Sequence, residues 1–420
     1  MQPVVRKIGP EEAAQFRRSV TIPFLDPYAG DPDQDADFEL WASKSEIDRA
    51  WVVDTGDRFA GNSAIYSMDV TLPAAPDRSC PTIPMAGVTA VGVHPTHRRQ
   101  GFLRRLMEVM HDDARQRGEA VAGLEASESV IYGRFGYGMA ATLAEYTIDS
   151  RASAFAVPAP SIDIGLIDKD EADKVLPYIF DRQRRTRAGE ADRSPGYWAQ
   201  LLADRPHRRE GTSARFHAVC DEGYVLYRSR FGSSVFRGER TDIVVEELRG
   251  DSAEVEAALW RFVLDLDLVG QVTVKKAPVD EPVRWRLADP RQLRTVGIED
   301  RLYLRILDTP TAFEARGYQA EGRLVLDVLP SAASDAEADP AEGRWVLEAG
   351  PDGASCRRAR SGEDADLRLG LPALGTVYLG GFPASLLAAG GRIEELKAGS
   401  LAVADALLVT RPSPRSGTDF

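Results

Sequence analysis

Apolar positions along this 420-residue chain change period several times. Trp51–Val53 and Ala64–Val70 read as strands on either side of a Gly56-Asp57 turn, preceded by a helix that Pro10-Glu11-Glu12 starts. From Val88 onward small and β-branched residues (Val91, Val93) predict a buried strand. His94-Pro95 stops it, because proline has no N–H to give to a ladder. The period then turns helical: Leu103, Leu106, Met107, Met110 and Ala114 share one face, and Gly118 ends the helix. Val121–Ala126 and Thr142–Asp149 read as two further strands.

An Ala/Pro linker at Ala154–Ser161 precedes a new strand over Ile162–Asp168 and a helix over Glu171–Arg185. Tyr224–Arg230, Ile243–Leu248 and Val272–Lys275 read as strands, with a helix over Ala253–Leu266. Strand Ile243–Leu248 and that helix repeat the plan of Val88–Arg117. From Thr309 the texture changes. A short helix to Arg316 leads into alternating strands at Leu324–Val328 and Trp345–Glu348, with an Ala/Asp/Glu loop, Ser331–Gly343, between them. A strand over Ala365–Leu371 and three short helices, Pro372–Leu379, Pro383–Ala389 and Arg392–Leu396, follow; Val403–Leu408 fits helix or strand. The tail from Arg411 to Phe420 reads as disordered by composition.

Composition narrows the class. A chain of this length exceeds one core, so two or three domains are expected. No apolar run approaches the roughly 18 residues of a membrane span, and no signal peptide is visible, so a cytoplasmic location is expected. Cys80, Cys220 and Cys356 fit neither a zinc site nor a disulfide framework, and the five histidines show no ligand pattern; no metal is expected. The net charge of −13 argues against nucleic acid as a partner and would favour approach of a cationic acceptor.

The chemistry concentrates at Arg98-Arg99-Gln100-Gly101, between strand and helix. Backbone N–H groups at a helix N-terminus converge on one point and carry partial positive charge, which makes the turn a pyrophosphate cradle. Arg98 and Arg99 add direct charge, and Gly101 permits close approach. In the repeat of this plan the turn is Arg249-Gly250-Asp251-Ser252, where Asp251 would repel a phosphate and Ser252 would cap the helix.

Arg98, Gly101, Tyr132, Gly136 and Tyr137 together resemble the acetyl-CoA turn and following tyrosine of the GNAT superfamily of N-acetyltransferases; Leu103 stands where a Gly or Ala is usual. HRRQGFLRRLM, ASES and IYGRFGYG narrow the resemblance to the Eis (enhanced intracellular survival) family, which tolerates a leucine there. The likeness continues at Glu246–Leu248, Leu259-Trp260, Tyr303–Ile306, Phe313–Tyr318 and Val377–Gly380. It implies an α/β fold with mixed (α+β) sheets: an acetyl-CoA-binding domain over residues 1–152, a central acetyltransferase-like domain without cofactor site over 162–305, and a sterol-carrier-protein-like domain over 306–420.

What the resemblance implies for function is N-acetyl transfer to amines of cationic acceptors, aminoglycosides or lysine side chains, by a homo-hexamer. Val91, Val93, Arg98, Arg99, Gly101, Phe102, Leu103 and Ser127 are expected at acetyl-CoA. Tyr132 is expected as general acid, and the Phe420 carboxylate as base or positioner, the tail reaching into the first domain. Asp26, Trp41 and Asp419 are expected at the acceptor, although Trp41 and Phe38 read equally as core. Two other classes remain open: a lipid carrier or interaction protein on an inactive scaffold, and an acyltransferase for longer acyl-CoAs.

Overall fold

The computed structural model describes residues 2–25, 34–230, 240–330 and 339–420, with backbone alone for residues 34–37. Its largest feature is a twelve-stranded sheet. In spatial order its strands are Val4–Lys7, Ala50–Asp54, Phe59–Thr71, Thr82–Val93, Val121–Leu124, Arg294–Ile306, Gly138–Asp149, Val269–Ala277, Thr241–Gly250, Gly223–Arg230, Phe216–Cys220 and Gly165–Ile167. Only two neighbouring pairs are parallel: Thr82–Val93 with Val121–Leu124, and Thr241–Gly250 with Val269–Ala277. Each is joined by a crossover helix, Phe102–Gln116 in the first and Ala253–Leu264 in the second, as a parallel pair requires. The repeat legible in the sequence is therefore a repeat of this unit.

The strand Arg294–Ile306 comes late in the chain, yet lies between Val121–Leu124 and Gly138–Asp149. The first and central units thus share one sheet rather than meeting as separate bodies. The five-stranded sheet of the C-terminal unit, ordered Gly353–Arg358, Gly343–Gly350, Gly322–Leu329, Leu367–Gly370, Ile393–Glu395, is tied in by a common core. Met85, Val121 and Leu304 of the large sheet pack in one buried cluster with Leu324, Leu347, Leu374 and Tyr378. Gly138 marks the contact: a Cβ there would sit 1.7 Å from the Pro372 carbonyl oxygen on the helix Leu371–Tyr378.

Two local expectations change, and a third, left open between helix and strand, is decided. Arg392–Leu396 is not a helix; Ile393–Glu395 pairs antiparallel with Leu367–Leu369, and that tertiary pairing outweighs local propensity. Ile162–Asp168 contracts to Gly165–Ile167, an edge strand held on one side only. Val403–Leu408 falls within a helix, Ser400–Leu408.

The tail is not a free end. Ser413, Arg415, Ser416 and Thr418 are all buried. Arg415 donates to the carbonyls of Leu248 (3.2 Å) and Lys276 (3.3 Å), on the two parallel strands of the central unit. These strands are in register only to Val245 and Val274, and Arg415 fills the gap where they part. The Gly417 N–H donates to Glu190 at 3.1 Å, and Thr418 Oγ1 to the Ala191 carbonyl at 3.0 Å. Beneath lies a buried network: Arg249 pairs with Glu190 and with Glu247 (2.7 Å), and Arg193 with Glu247 (2.8 Å).

Candidate functional site

In the first unit the equivalent gap is open. Thr82–Val93 pairs with Val121–Leu124 only through Met85–Gly87, after which the two strands diverge. A bulge begins there: Thr89 faces Ala64 and Gly92 faces Asn62, leaving two residues opposite one. Ala90 takes a left-handed φ of 53°, and its carbonyl accepts from the Asn62 side-chain amide. The stretch Val88–Val93 consequently has no parallel neighbour, and its Val91, Gly92 and Val93 line a cavity.

That cavity measures about 590 Å³. Val91, Val93, Arg98, Arg99, Gly101, Phe102, Leu103 and Ser127, the eight residues expected at the donor, all line it, with Tyr132. Arg98, Arg99 and Gly101 are exposed at its mouth. Gly101 is the N-cap of the fifteen-residue helix, with φ 76° and no side-chain cap bond. A Cβ on Gly101 would meet nothing within 4 Å, so the glycine serves backbone conformation rather than space. The uncapped N–H groups, two arginines and an unpaired strand edge fit an elongated, amide-bearing diphosphate. The central unit lacks this fit: Ser252 accepts from Val255 N at 3.3 Å, Asp251 pairs with Arg182, and Arg415 occupies the parting strands.

A second cavity, about 290 Å³, adjoins the first. Phe24, Val91, Ser127 and Tyr132 line both. The remaining wall includes Glu125, Asp300, Arg301 and Phe420. Tyr132 is buried, and that burial, helped by the Glu128 charge, pushes its phenol up to about 12, so it keeps its proton at neutral pH. Tyr137 of the same motif is structural: its hydroxyl lies 3.0 Å from His111 Nε2 in the core. The Arg301 guanidinium pairs with Glu125 (2.9 Å) and with Asp419, while Lys276 holds the other Asp419 oxygen at 2.5 Å.

The acceptor expectations divide. Asp26 lies outside the described residues. Trp41 lines neither cavity; it stacks on Phe16 at 6.1 Å and packs on Phe38 at 5.7 Å, half-buried on the helix Gln34–Lys44. Asp419 lines neither cavity; it is exposed, and its carboxylate pairs with Arg301, on the second cavity's wall, and with Lys276. Phe24, Glu125, Asp300 and Arg301 were not singled out in the sequence. Glu125 falls inside the expected strand Val121–Ala126, which in the structure ends at Leu124, and its place next to ASES was its only signal. Asp300 and Arg301 reach the site from a strand 175 residues or so downstream, which no local pattern discloses. Among the described residues no cluster has the makings of a metal site, and no helix is long and apolar enough to cross a membrane.

Comparison with known proteins agrees with this architecture. Residues 4–140 match the acetyltransferase (GNAT) domain family, residues 189–306 a second family of the same description, and residues 309–415 the sterol carrier protein domain. The chain is 34% identical over 320 residues to N-acetyltransferase Eis of Mycobacterium tuberculosis, covering 74% of this chain and 75% of that one. It is 35% identical over 390 residues to an uncharacterized N-acetyltransferase of Streptomyces coelicolor, covering 90% and 91%. The crystal structure of Eis1 from Mycobacterium abscessus superimposes with a TM-score of 0.86 at 30% identity, covering 99% of this chain and 100% of that one.

Proposed function

This chain is a member of the Eis family of GNAT N-acetyltransferases, and on that premise we propose that it transfers acetyl from acetyl-CoA directly to amines of cationic acceptors, such as aminoglycosides or lysine side chains. The observation that carries the reading is the junction of the two cavities: Tyr132 and Ser127 line both, and Phe420 lines the second. Val91 and Val93 would hold the pantetheine amides as a neighbouring strand would, and the Arg98–Leu103 turn the diphosphate. Acetyl-CoA supplies the activated acetyl group.

The residues of the chain have separable tasks. Tyr132, protonated at neutral pH, gives its phenolic proton to the departing sulfur. The Phe420 carboxylate holds the cationic acceptor or passes a proton through water; an unperturbed terminal carboxyl titrates at about 3.3–3.7, low for deprotonating an ammonium directly. Glu125 and Asp300 add negative charge to the same wall, opposed by Arg301. The reading carries with it a homo-oligomer, hexameric by family resemblance, in a cytoplasmic setting; sedimentation of the purified chain measures the former.

The test is acetyl-CoA consumption over a panel of amines including aminoglycosides and lysine peptides. Turnover above acceptor-free hydrolysis with a polyamine is expected. Consumption with none of them, or thermal stabilisation by long-chain acyl-CoAs in preference to acetyl-CoA, ends this reading.

A further inference from the structure

We propose that the acceptor presents a carboxylate beside its amine: a third cavity, on the central unit, takes an aspartate or glutamate close in sequence to the acetylated lysine of a peptide. The inference deepens the amine-acetylation reading above and rests on it.

The third cavity measures about 280 Å³. The strands Gly223–Arg230, Thr241–Gly250 and Val269–Ala277 and the helix Pro195–Leu202 contribute to its wall. Among the described residues its lining holds eight arginines and lysines against four carboxylates. Those carboxylates do not neutralise it, because the inner three are each shared between two cations. Glu246 accepts from Arg215 at 2.5 Å and from Arg228 at 2.7 Å. Glu247 pairs with Arg193 at 2.8 Å and with Arg249 at 2.7 Å. Asp419 pairs with Lys276 and with Arg301. The fourth, Glu210, is exposed. Arg230 and Lys275 are exposed too, and neither has an ion-pair partner among the described residues. A concave site with an excess of one charge concentrates the opposite one, and a guanidinium receives a carboxylate in a two-pronged geometry.

The tail joins this cavity to that of the amine. Asp419 lines the third cavity and Phe420 the second, and consecutive Cα atoms lie about 3.8 Å apart. The partition is the Asp419 carboxylate: one oxygen meets Lys276 on the third cavity's wall, the other Arg301 on the second's. An extended peptide advances about 3.3 Å per residue, so a carboxylate one to three positions from the lysine spans the partition. The two walls have opposite character. Glu125, Asp300 and the chain's terminal residue face Arg301 in the second cavity, whereas cations prevail in the third. A ligand of one sign suits one cavity and is repelled by the other; a lysine with an acid beside it suits both.

The test compares two peptides on the full chain, their single lysine flanked on both sides by aspartates in one and by asparagines in the other. At low ionic strength kcat/KM is expected to be about tenfold higher for the aspartate peptide, through KM rather than kcat, and the difference should shrink as salt is added. Arg230→Ala with Lys275→Ala is expected to reduce the preference to about twofold or less and to leave the asparagine peptide's kinetics unchanged. Equal kcat/KM for the two peptides, a preference for asparagine, or turnover of aminoglycosides with neither peptide accepted overturns the proposal. So does a preference that the double variant retains in full. The wild-type comparison stands by itself if the double variant does not fold. A wild type that acetylates no amine defeats the underlying reading; one that acetylates amines without preferring aspartate defeats this inference alone.

Discussion

At Tyr132 burial and position act together. The ring packs edge-on against Tyr137 at 6.1 Å, and the residue lines both cavities. Removing its hydroxyl leaves that packing in place, so Tyr132→Phe should lower kcat by about 100-fold or more and leave acetyl-CoA affinity nearly unchanged. Single-turnover kinetics beside calorimetry check this, and unchanged turnover removes the acid role. Residue identity was legible here because a tyrosine before Gly-aromatic pairs is local in the chain. Trp41 shows the limit of such reasoning: an aromatic among acids reads as a cation site or as core, and its stacking on Phe16 is core packing. Glu125 shows the opposite limit, since nothing in its neighbours announces that Arg301 and Asp419 will perturb it.

The element that organises the first cavity is the strand, turn and helix from Thr82 to Gln116. Its periodicity was readable because a strand and an amphipathic helix each state their buried face locally. The bulge at Ala90 and the early parting of the parallel strands were not, because both depend on register between strands. Gly101 is the element's hinge of conformation. Gly101→Ala adds a Cβ to a left-handed residue with open space around it, so the cost is backbone strain of about 1–2 kcal/mol, measurable by denaturant unfolding. The helix N-terminus should lose its aim, raising the KM for acetyl-CoA more than it lowers kcat; an unchanged KM counts against phosphate binding at this turn.

At the scale of the whole molecule the tail joins the units. It crosses the central unit's closed gap at Arg415 and ends at the first unit's open one. Adding a few residues beyond Phe420 should therefore cripple acetylation while leaving acetyl-CoA binding intact, and a fully active extended chain dissociates the carboxylate from the reaction. The ion network under the tail sets a second expectation. Burial would raise the Glu247 carboxyl, but Arg193 and Arg249 override it and hold it well below the usual range; Glu190 is lowered in the same way by Arg249 and Arg415. Both carboxyls therefore contribute stability that is full above the unfolded glutamate pKa of about 4.3 and is lost as pH falls through their lower folded values. Thermal unfolding against pH should show this loss only below that point. Glu190→Gln leaves Arg249 buried with its charge incompletely matched, which costs about 3–5 kcal/mol. Limited proteolysis should then cut the tail first, and a variant as protease-resistant as wild type would disconnect Glu190 from tail docking.

The sequence alone disclosed the units and the basic glycine turn between strand and helix. Strand and helix periods, capping at Ser252 and the basic glycine corner are properties of neighbouring residues, and they point the same way wherever the chain lies. Tertiary structure alone decided what surrounds the reacting groups. Ile393–Glu395 became a strand because a partner was waiting, and Arg294–Ile306 entered a sheet begun far earlier in the chain. A tail polar enough to read as disordered was ordered by buried groups that satisfy its backbone, Arg193 donating to the Gly417 carbonyl and Glu190 accepting from the Gly417 N–H. Glu125 is raised by burial first and then by the Asp419 charge 294 residues away in sequence, against the pull of Arg301 176 residues away, because electrostatic energy follows distance in space and not position along the chain.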